Sequence, residues 1–360
     1  MLITLLKLTV KIERTFKMAD TKYTLIGMTS AGKTCYITAM YMKMAAGFDG
    51  FTLVTDDQTR AKLERDILAL RVPNGVERFP VATDETTTRS YDFKLNYNTQ
   101  KIITFEMLDY AGGLLRTKES SYAQVKESIA QSTVLYIFID GKSFCSNDIE
   151  ERKENVYYDC AMTVTPIIQD FADTHKGKLP PIVFVITKAD LCKNFVTGDE
   201  ITKVIKDLFS PAFSDNTSTY ICAVSLGDSI SDDNYKGKLK PVNIHIPFFI
   251  GSYHEFYDRC VLLKNEIKVG NSKLMSEMRE FKLDAHNEIK KIKWFRDEYY
   301  IKSCLARAKD ASDAYKSNQD VLNNTTELLS IFGERLESES SNFKYFISGV
   351  EQSSFKSFKI

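Results

Sequence analysis

The stretch Tyr23-Thr24-Leu25-Ile26-Gly27-Met28-Thr29-Ser30-Ala31-Gly32-Lys33-Thr34-Cys35-Tyr36 decides how this chain is read. A short apolar run ends at Ile26, the pattern G-x-x-x-x-G-K-[ST] occupies residues 27–34, and helix-forming residues follow to about Ala46. Strand, glycine loop and helix in that order build a cradle for an anion. The loop wraps a phosphate chain with backbone N–H groups, and the helix aims its free N–H groups and positive dipole end at the same charge. On this reading Gly27, Met28, Thr29, Ser30, Ala31, Gly32, Lys33, Thr34 and Cys35 surround the phosphates. Lys33 reaches the β- and γ-phosphates as a point charge, and the Thr34 hydroxyl holds Mg²⁺. The plain alternative is a glycine turn followed by a chance lysine. The strand before the motif and the helix after it favour the cradle.

Outward from that stretch, the 360 residues leave room for one large domain or two ordinary ones. An apolar share of 43% suffices for a sizeable core. The 48 basic and 48 acidic residues cancel, so the overall charge favours neither nucleic acid nor an anionic membrane. Seven cysteines are scattered without a C-x-x-C pair. That argues against zinc and a disulfide framework and for a reducing cytoplasm. Residues 1–17 open on a short apolar run followed at once by charges, and Met18 is a plausible true start. Residues 1–20 are therefore read as an extension outside the core, an upstream artefact or a loose strand. No run reaches the ~18 apolar residues of a membrane-spanning helix.

In chain order, residues 51–55 read as a strand and 58–70 as an amphipathic helix, broken by Pro73, Asn74 and Gly75. A threonine-rich loop over 79–89 leads into residues 91–96 and 101–108, which alternate as the two arms of a hairpin. The second arm runs into Asp109-Tyr110-Ala111-Gly112, a D-x-x-G at a strand end. In a phosphate-loop enzyme that carboxylate contacts Mg²⁺ through water and the Gly112 N–H senses the γ-phosphate; alone, the tetrapeptide is an ordinary turn. A helix over 121–131, a buried strand over 133–140, a helix over 155–174 and another buried strand over 182–186 follow. The last ends in Thr187-Lys188-Ala189-Asp190. The Asp190 carboxylate can accept two hydrogen bonds from the N1–H and amino group of guanine, a pair adenine lacks. The Lys188 stem would pack over the base. The competing reading is a strand ending in a solvated lysine and aspartate. Residues 219–224 read as the last strand, closing on Ser225 and Leu226, where a backbone N–H would face the guanine carbonyl. A helix over 250–264 completes the layer. Strands alternating with helices imply a parallel sheet with one antiparallel edge hairpin and ligand at the carboxyl ends of the strands.

These four motifs, in this order over residues 21–264, resemble the Ras-like branch of P-loop GTPases, with Gly27 to Thr34 as the Walker A element. A further likeness is to bacterial double-GTPase proteins of conflict and defence gene clusters. It rests on Gly32-Lys33-Thr34-Cys35-Tyr36, the extra strand and helix over 51–70, the switch over 80–88 leading into Tyr91-Asp92-Phe93-Lys94-Leu95, and residues 241–247 before the last helix. The resemblance implies a P-loop NTPase, Ras-like, three-layer sandwich with a mostly parallel sheet and a C-terminal α-helical extension. It implies GTP/GDP and Mg²⁺ as cofactors. A switch threonine would coordinate Mg²⁺, and Thr83 is chosen among Thr83, Thr86, Thr87 and Thr88. Two departures stand out. Thr187 replaces the usual asparagine of the base motif, and Gly113 stands where Ras-like enzymes carry the glutamine that orients water. Arg89 and Arg116 flank the switch loops and are candidates for charge stabilisation, with plain surface arginines as the alternative.

Beyond Pro247 the chain has no proline, and an apolar stripe from Leu274 to Tyr299 marks a long helix. Its Lys290, Lys291 and Lys293 beside Trp294 suggest a membrane surface, but Asp297 and Glu298 follow at once, so packing is the better reading. A second helix is expected over 321–336. The expected domains are residues 21–265 for the nucleotide and 271–360 for the helices, which would meet a protein partner or a second copy. The readings that remain are a GTP hydrolase acting as a switch, a GTP sensor with negligible turnover, a scaffold stabilised by nucleotide, and an ATPase.

Overall fold

The computed structural model describes residues 21–73, 79–80, 88–113, 119–227, 230, 235–291 and 297–358. The extension 1–20, most of the threonine-rich switch and the segment after Gly113 lie outside them.

The first strand, β1 (Thr21–Gly27), is buried along nearly its whole length. The glycine loop follows, then α1 (Lys33–Ala45). Next come β2 (Phe51–Thr55) and α2 (Asp57–Leu70), whose first turn is capped by Asp56, a carboxylate accepting the N–H groups of Gln58 and Thr59. The expected hairpin is β3 (Thr88–Tyr97) and β4 (Gln100–Tyr110). Its two turn residues, Asn98 and Thr99, have φ of 45° and 70°, the left-handed pair of a tight two-residue turn.

After α3 (Glu119–Gln131), β5 (Val134–Asp140) fills the middle of the sheet with apolar side chains on both faces. The helix expected over 155–174 starts earlier, as α4 (Ile149–Val156), passes through a π-helical turn (Tyr157–Ala161) and continues as α5 (Met162–Thr174). Then come β6 (Ile182–Thr187), the short α6 (Ala189–Cys192), α7 (Gly198–Leu208) and β7 (Ser218–Ala223).

The chain does not end its sheet at β7, as the sequence suggests. Two long helices, α8 (His245–Ile289) and α9 (Glu298–Ser338), are followed by β8 (Phe343–Ile347) and β9 (Val350–Glu351). The nine strands run in the order β2-β3-β4-β1-β5-β6-β7-β8-β9. The centre from β4 to β7 is parallel, and both margins are antiparallel, one from the expected hairpin and one from β8 against β7. Phe343, Tyr345 and Phe346 are buried, so β8 adds an aromatic wall. Its Tyr345 ring stacks on Tyr220 of β7 at 4.6 Å.

Helices cover both faces. On one, Ile137, Ile139, Phe184 and Ile186 pack with Val164, Ile167 and Ile168 of α5 and Val204 and Ile205 of α7. On the other, Phe138 meets Tyr36 of α1 at 5.3 Å between ring centres, and Phe105 meets Phe248 of α8 at 5.3 Å. This is the layered arrangement that leaves the carboxyl ends of the parallel strands, with their loops, as a common rim.

By contacts the chain divides into two units, and the division differs from the expected boundaries. The sheet unit is Asp20–His254 with Glu334–Lys356; the helical unit contains Glu255–Gly333. The helix expected to stop near residue 264 runs on because Cys260, Leu263, Ile267, Leu274, Phe281 and Ala285 are all buried at spacings of three, four and seven, one stripe of the helix. Within the helical unit α8 and α9 lie antiparallel. Phe256 stacks on Phe332 at 5.4 Å, Asn318 Nδ2 donates to Asn271 Oδ1 at 3.1 Å, and Tyr300 Oη donates to Asp284 Oδ2 at 3.3 Å. The buried Asn271–Asn318 pair is a polar layer of the kind that fixes register between paired helices.

Candidate functional site

The rim at the carboxyl ends of β1, β6 and β7 encloses a cavity of about 550 Å³. It is lined by Thr29, Ser30, Ala31, Gly32, Lys33, Thr34 and Cys35 from the glycine loop and α1, by Gly112, by Thr187, Lys188 and Asp190, and by Ser225 and Leu226. Thirteen residues singled out from spacing alone thus meet in one place, from four loops that are far apart in sequence. Gly27 and Met28 stand behind the loop, where their carbonyls accept hydrogen bonds from Lys33 Nζ at 2.8 and 3.1 Å.

Burial pushes the Lys33 ammonium below its ordinary pKa, and the neighbouring Asp109 carboxylate pulls it back up. A buried cation beside a glycine loop at the start of a helix is chemically suited to an anion. Beside it, Thr34 Oγ1 donates to Asp109 Oδ2 at 3.0 Å. A hydroxyl and a fully buried carboxylate at that separation make a pair of hard oxygen donors suited to Mg²⁺. Among the described residues no cluster of three or more His, Cys, Asp and Glu could hold a metal by itself. Mg²⁺ held by one or two protein oxygens with phosphates and waters needs no such cluster.

Gly112 touches the glycine loop so closely that only a hydrogen fits. A Cβ there would lie 2.0 Å from the Thr29 nitrogen and 2.4 Å from the Met28 carbonyl carbon. The D-x-x-G turn and the phosphate loop are therefore in direct backbone contact, which the spacing of the two motifs does not reveal.

The base motif is tied to the same loop. Thr187 Oγ1 donates to Ala31 O at 2.8 Å, with Ile139 O 3.3 Å away. Lys188, in the left-handed region at φ 49°, donates from Nζ to Ser30 O at 3.1 Å and pairs with Asp140. The threonine that departs from the usual asparagine thus supplies a bridge from base motif to phosphate loop. Ser225 is held by reciprocal backbone bonds with Val242, its own N–H donating at 3.2 Å and its carbonyl accepting at 2.9 Å, which fixes the turn that brings Ser225 and Leu226 to the cavity.

Several lining residues escape a reading by motif: Tyr36, Ala111, Lys142, Leu191, Val224, Ile230 and Ile244, with Phe79 and Pro80 from the switch. Lys142 has a signal in retrospect, two residues past the end of β5, where a parallel strand must deliver its loop to the same rim. Ile230, Leu226 and Cys35 pack with Leu70 and Tyr235 in a small apolar cluster, and Tyr235 Oη donates to Leu70 O at 2.9 Å. Burial raises the Cys35 thiol to about 11, so it stays protonated and acts as a packing group.

Arg89 is not among the cavity-lining residues. It stands opposite Asp109 in the β3–β4 register, beside Tyr91 and within reach of the charges of Lys62 and Asp66. Thr83 and Arg116 lie outside the described residues. Gly113 is in place immediately after Gly112, with no side chain to present to the cavity. Among the described residues no helix is long and apolar enough to cross a membrane.

No curated protein matches the chain. A family model described as Double-GTPase 2 matches residues 24–233, more than half of the sequence, from β1 past the base motif and the β7 turn. With the Gly27–Thr34 loop, the D-x-x-G turn and the Thr187–Asp190 turn around one cavity on a P-loop α/β sheet, the chain belongs to the Double-GTPase 2 family of GTP-binding GTPase domains.

Proposed function

We propose that the chain is a Mg²⁺-dependent GTP hydrolase working as a molecular switch, and that the carrying observation is the single cavity shared by Lys33, Thr34, Gly112 and Asp190. In this role the loop from Gly27 to Cys35 wraps the phosphates, Lys33 offsets charge on the β- and γ-oxygens, and Gly112 N–H senses the γ-phosphate. Asp190 reads guanine, Lys188 packs over the base, and the Ser225–Leu226 turn faces its carbonyl. Thr34 and Asp109, with Thr83 from the switch, would hold Mg²⁺, which would supply positive charge to the developing negative charge on phosphate oxygens. Water attacks the γ-phosphorus, the β–γ bond breaks, and GDP and inorganic phosphate leave. Arg89 or Arg116, in cis or joined by a partner's group, supplies positive charge in place of the missing glutamine.

A route from phosphate loop to helices supports the switch. Lys43, in the last turn of α1, donates to His245 Nδ1 at 3.0 Å at the first residue of α8. His245 Nε2 donates to Glu339, just past α9, at 2.9 Å. Movement of α1 with nucleotide state would be felt at the roots of both long helices, the surface proposed to meet a protein partner or a second copy. A cytoplasmic setting, and a place in bacterial conflict or defence, belong to the same proposal through the family likeness.

Gly113 favours one second reading, a GTP sensor with negligible turnover. Titration calorimetry with GTP and Mg²⁺, followed by phosphate release over time, separates the two. Heat without phosphate leaves the sensor; neither removes both. Asp190→Asn is expected to move preference from GTP to xanthosine triphosphate, and an unchanged preference would count against guanine readout.

A further inference from the structure

Asp140, at the last position of β5, lies outside the cavity lining and outside every motif of the sequence, yet its carboxylate is fully committed. One oxygen, Oδ1, accepts the Lys142 N–H at 2.9 Å, capping the turn Gly141–Phe144. The other, Oδ2, pairs with Lys188 Nζ. In the parallel register Asp140 stands beside Thr187, so the carboxylate reaches the lysine from the next strand without a strained path. The same Nζ donates to Ser30 O in the phosphate loop at 3.1 Å.

One lysine nitrogen thus ties together three loops, and among the described residues Asp140 is its only charged hydrogen-bond anchor. The turn itself is pressed against the base motif: a Cβ on Gly141 would lie 2.4 Å from Thr187 O and 2.8 Å from Lys188 O. Lys142, held by the other oxygen, lines the same cavity as Asp190 and Leu191. A carboxylate set by its own turn is a fixed post rather than a floating counter-ion, since its second oxygen cannot rotate without uncapping Lys142.

We propose that Asp140 is a positioning residue for the nucleotide: it aims Lys188 over the base and sets Lys142 at the rim, without touching ligand itself. The proposal rests on the guanine-nucleotide reading of the cavity. Without that charge, the Ser30 carbonyl is the remaining anchor of Lys188 among the described residues, so the stem samples positions off the base plane and the ligand escapes faster.

The test follows dissociation of a fluorescent GDP, with Mg²⁺ present, from the full chain and from Asp140→Asn, Lys188→Met and the double variant. Asp140→Asn keeps an oxygen for the Lys142 N–H and removes the charge. It is expected to release GDP about tenfold faster, with the nucleotide-free melting temperature close to that of the parent. Lys188→Met is expected to release at least as fast, and the double variant no faster than Lys188→Met, because Asp140 acts through that lysine. An unchanged rate in Asp140→Asn, or effects that multiply in the double variant, overturns the proposal while leaving guanine binding intact. If the parent chain binds no fluorescent GDP, the underlying reading fails as well. A large drop in nucleotide-free melting temperature with an unchanged rate ratio marks Asp140 as structural only and also overturns it.

Discussion

The Thr187 hydroxyl bridges two loops that line the same cavity, and its worth is measurable. Thr187→Val keeps the shape and removes the donor to Ala31 O. It is expected to cost about 1 kcal/mol of stability and to weaken guanine-nucleotide affinity severalfold, read by denaturant melts and calorimetry. Gly112→Ala is expected to be harsher. The added methyl has backbone on its near side at 2.0 Å, so the phosphate loop must move, and nucleotide binding should be lost while far-ultraviolet dichroism is kept. At this scale the sequence was most legible where covalent spacing alone sets position, as in Gly27 to Thr34 and Thr187 to Asp190. Lys142, Ile230 and Ile244 were not legible, because what brings them to the cavity is the crossing of chain segments distant in sequence.

Elements are next. The buried Asn271–Asn318 pair in the helical unit gives a two-sided expectation. Asn271→Ala strands the Asn318 amide and should destabilise that unit by about 1–3 kcal/mol, whereas changing both to leucine should stabilise it and loosen its register, read by melting and by crosslinking across α8 and α9. Between β7 and α8, His254 Nε2 meets Tyr220 Oη at 2.9 Å, and full burial lowers the imidazole to about 3. The folded state therefore resists a proton that the unfolded chain accepts from its ordinary value downward. Stability should be untouched above about pH 6.5 and fall as pH drops toward 3, by an amount on the order of 5 kcal/mol at full development. Melting curves across that window, flatter in His254→Phe, check it. The hairpin β3–β4 was legible from alternation and a turn. The full length of α8 was not, because the stripe that continues it past residue 264 is interrupted by polar Asn271, which is itself buried.

At the scale of the molecule, the sheet unit is completed by residues on the far side of the helical unit in sequence. Truncation after Ser338 should remove β8 and β9, uncover Tyr220 and the edge of β7, and forfeit the burial of Phe343, Tyr345 and Phe346. At a rough 1.5–3 kcal/mol per buried aromatic, that loss is comparable to the whole stability of a domain. The truncated chain is expected to aggregate or melt well below the parent, and a truncation that stays folded and binds GTP would refute this. The return was illegible because strand β8 is five residues long and its partner lies more than a hundred residues earlier.

The same return sets an order of events during synthesis. A ribosome delivers the phosphate loop first and the aromatic strand that seals the sheet last, after both long helices have emerged. Until then the β7 edge stands open to other nascent chains. The helices soften that delay: once they zip antiparallel, from the Asp284–Tyr300 contact back to Phe256 and Phe332, they bring the late strand to its early partner and shorten the loop that must close. Closure of the sheet at β7 is thereby expected to wait on the helical hairpin.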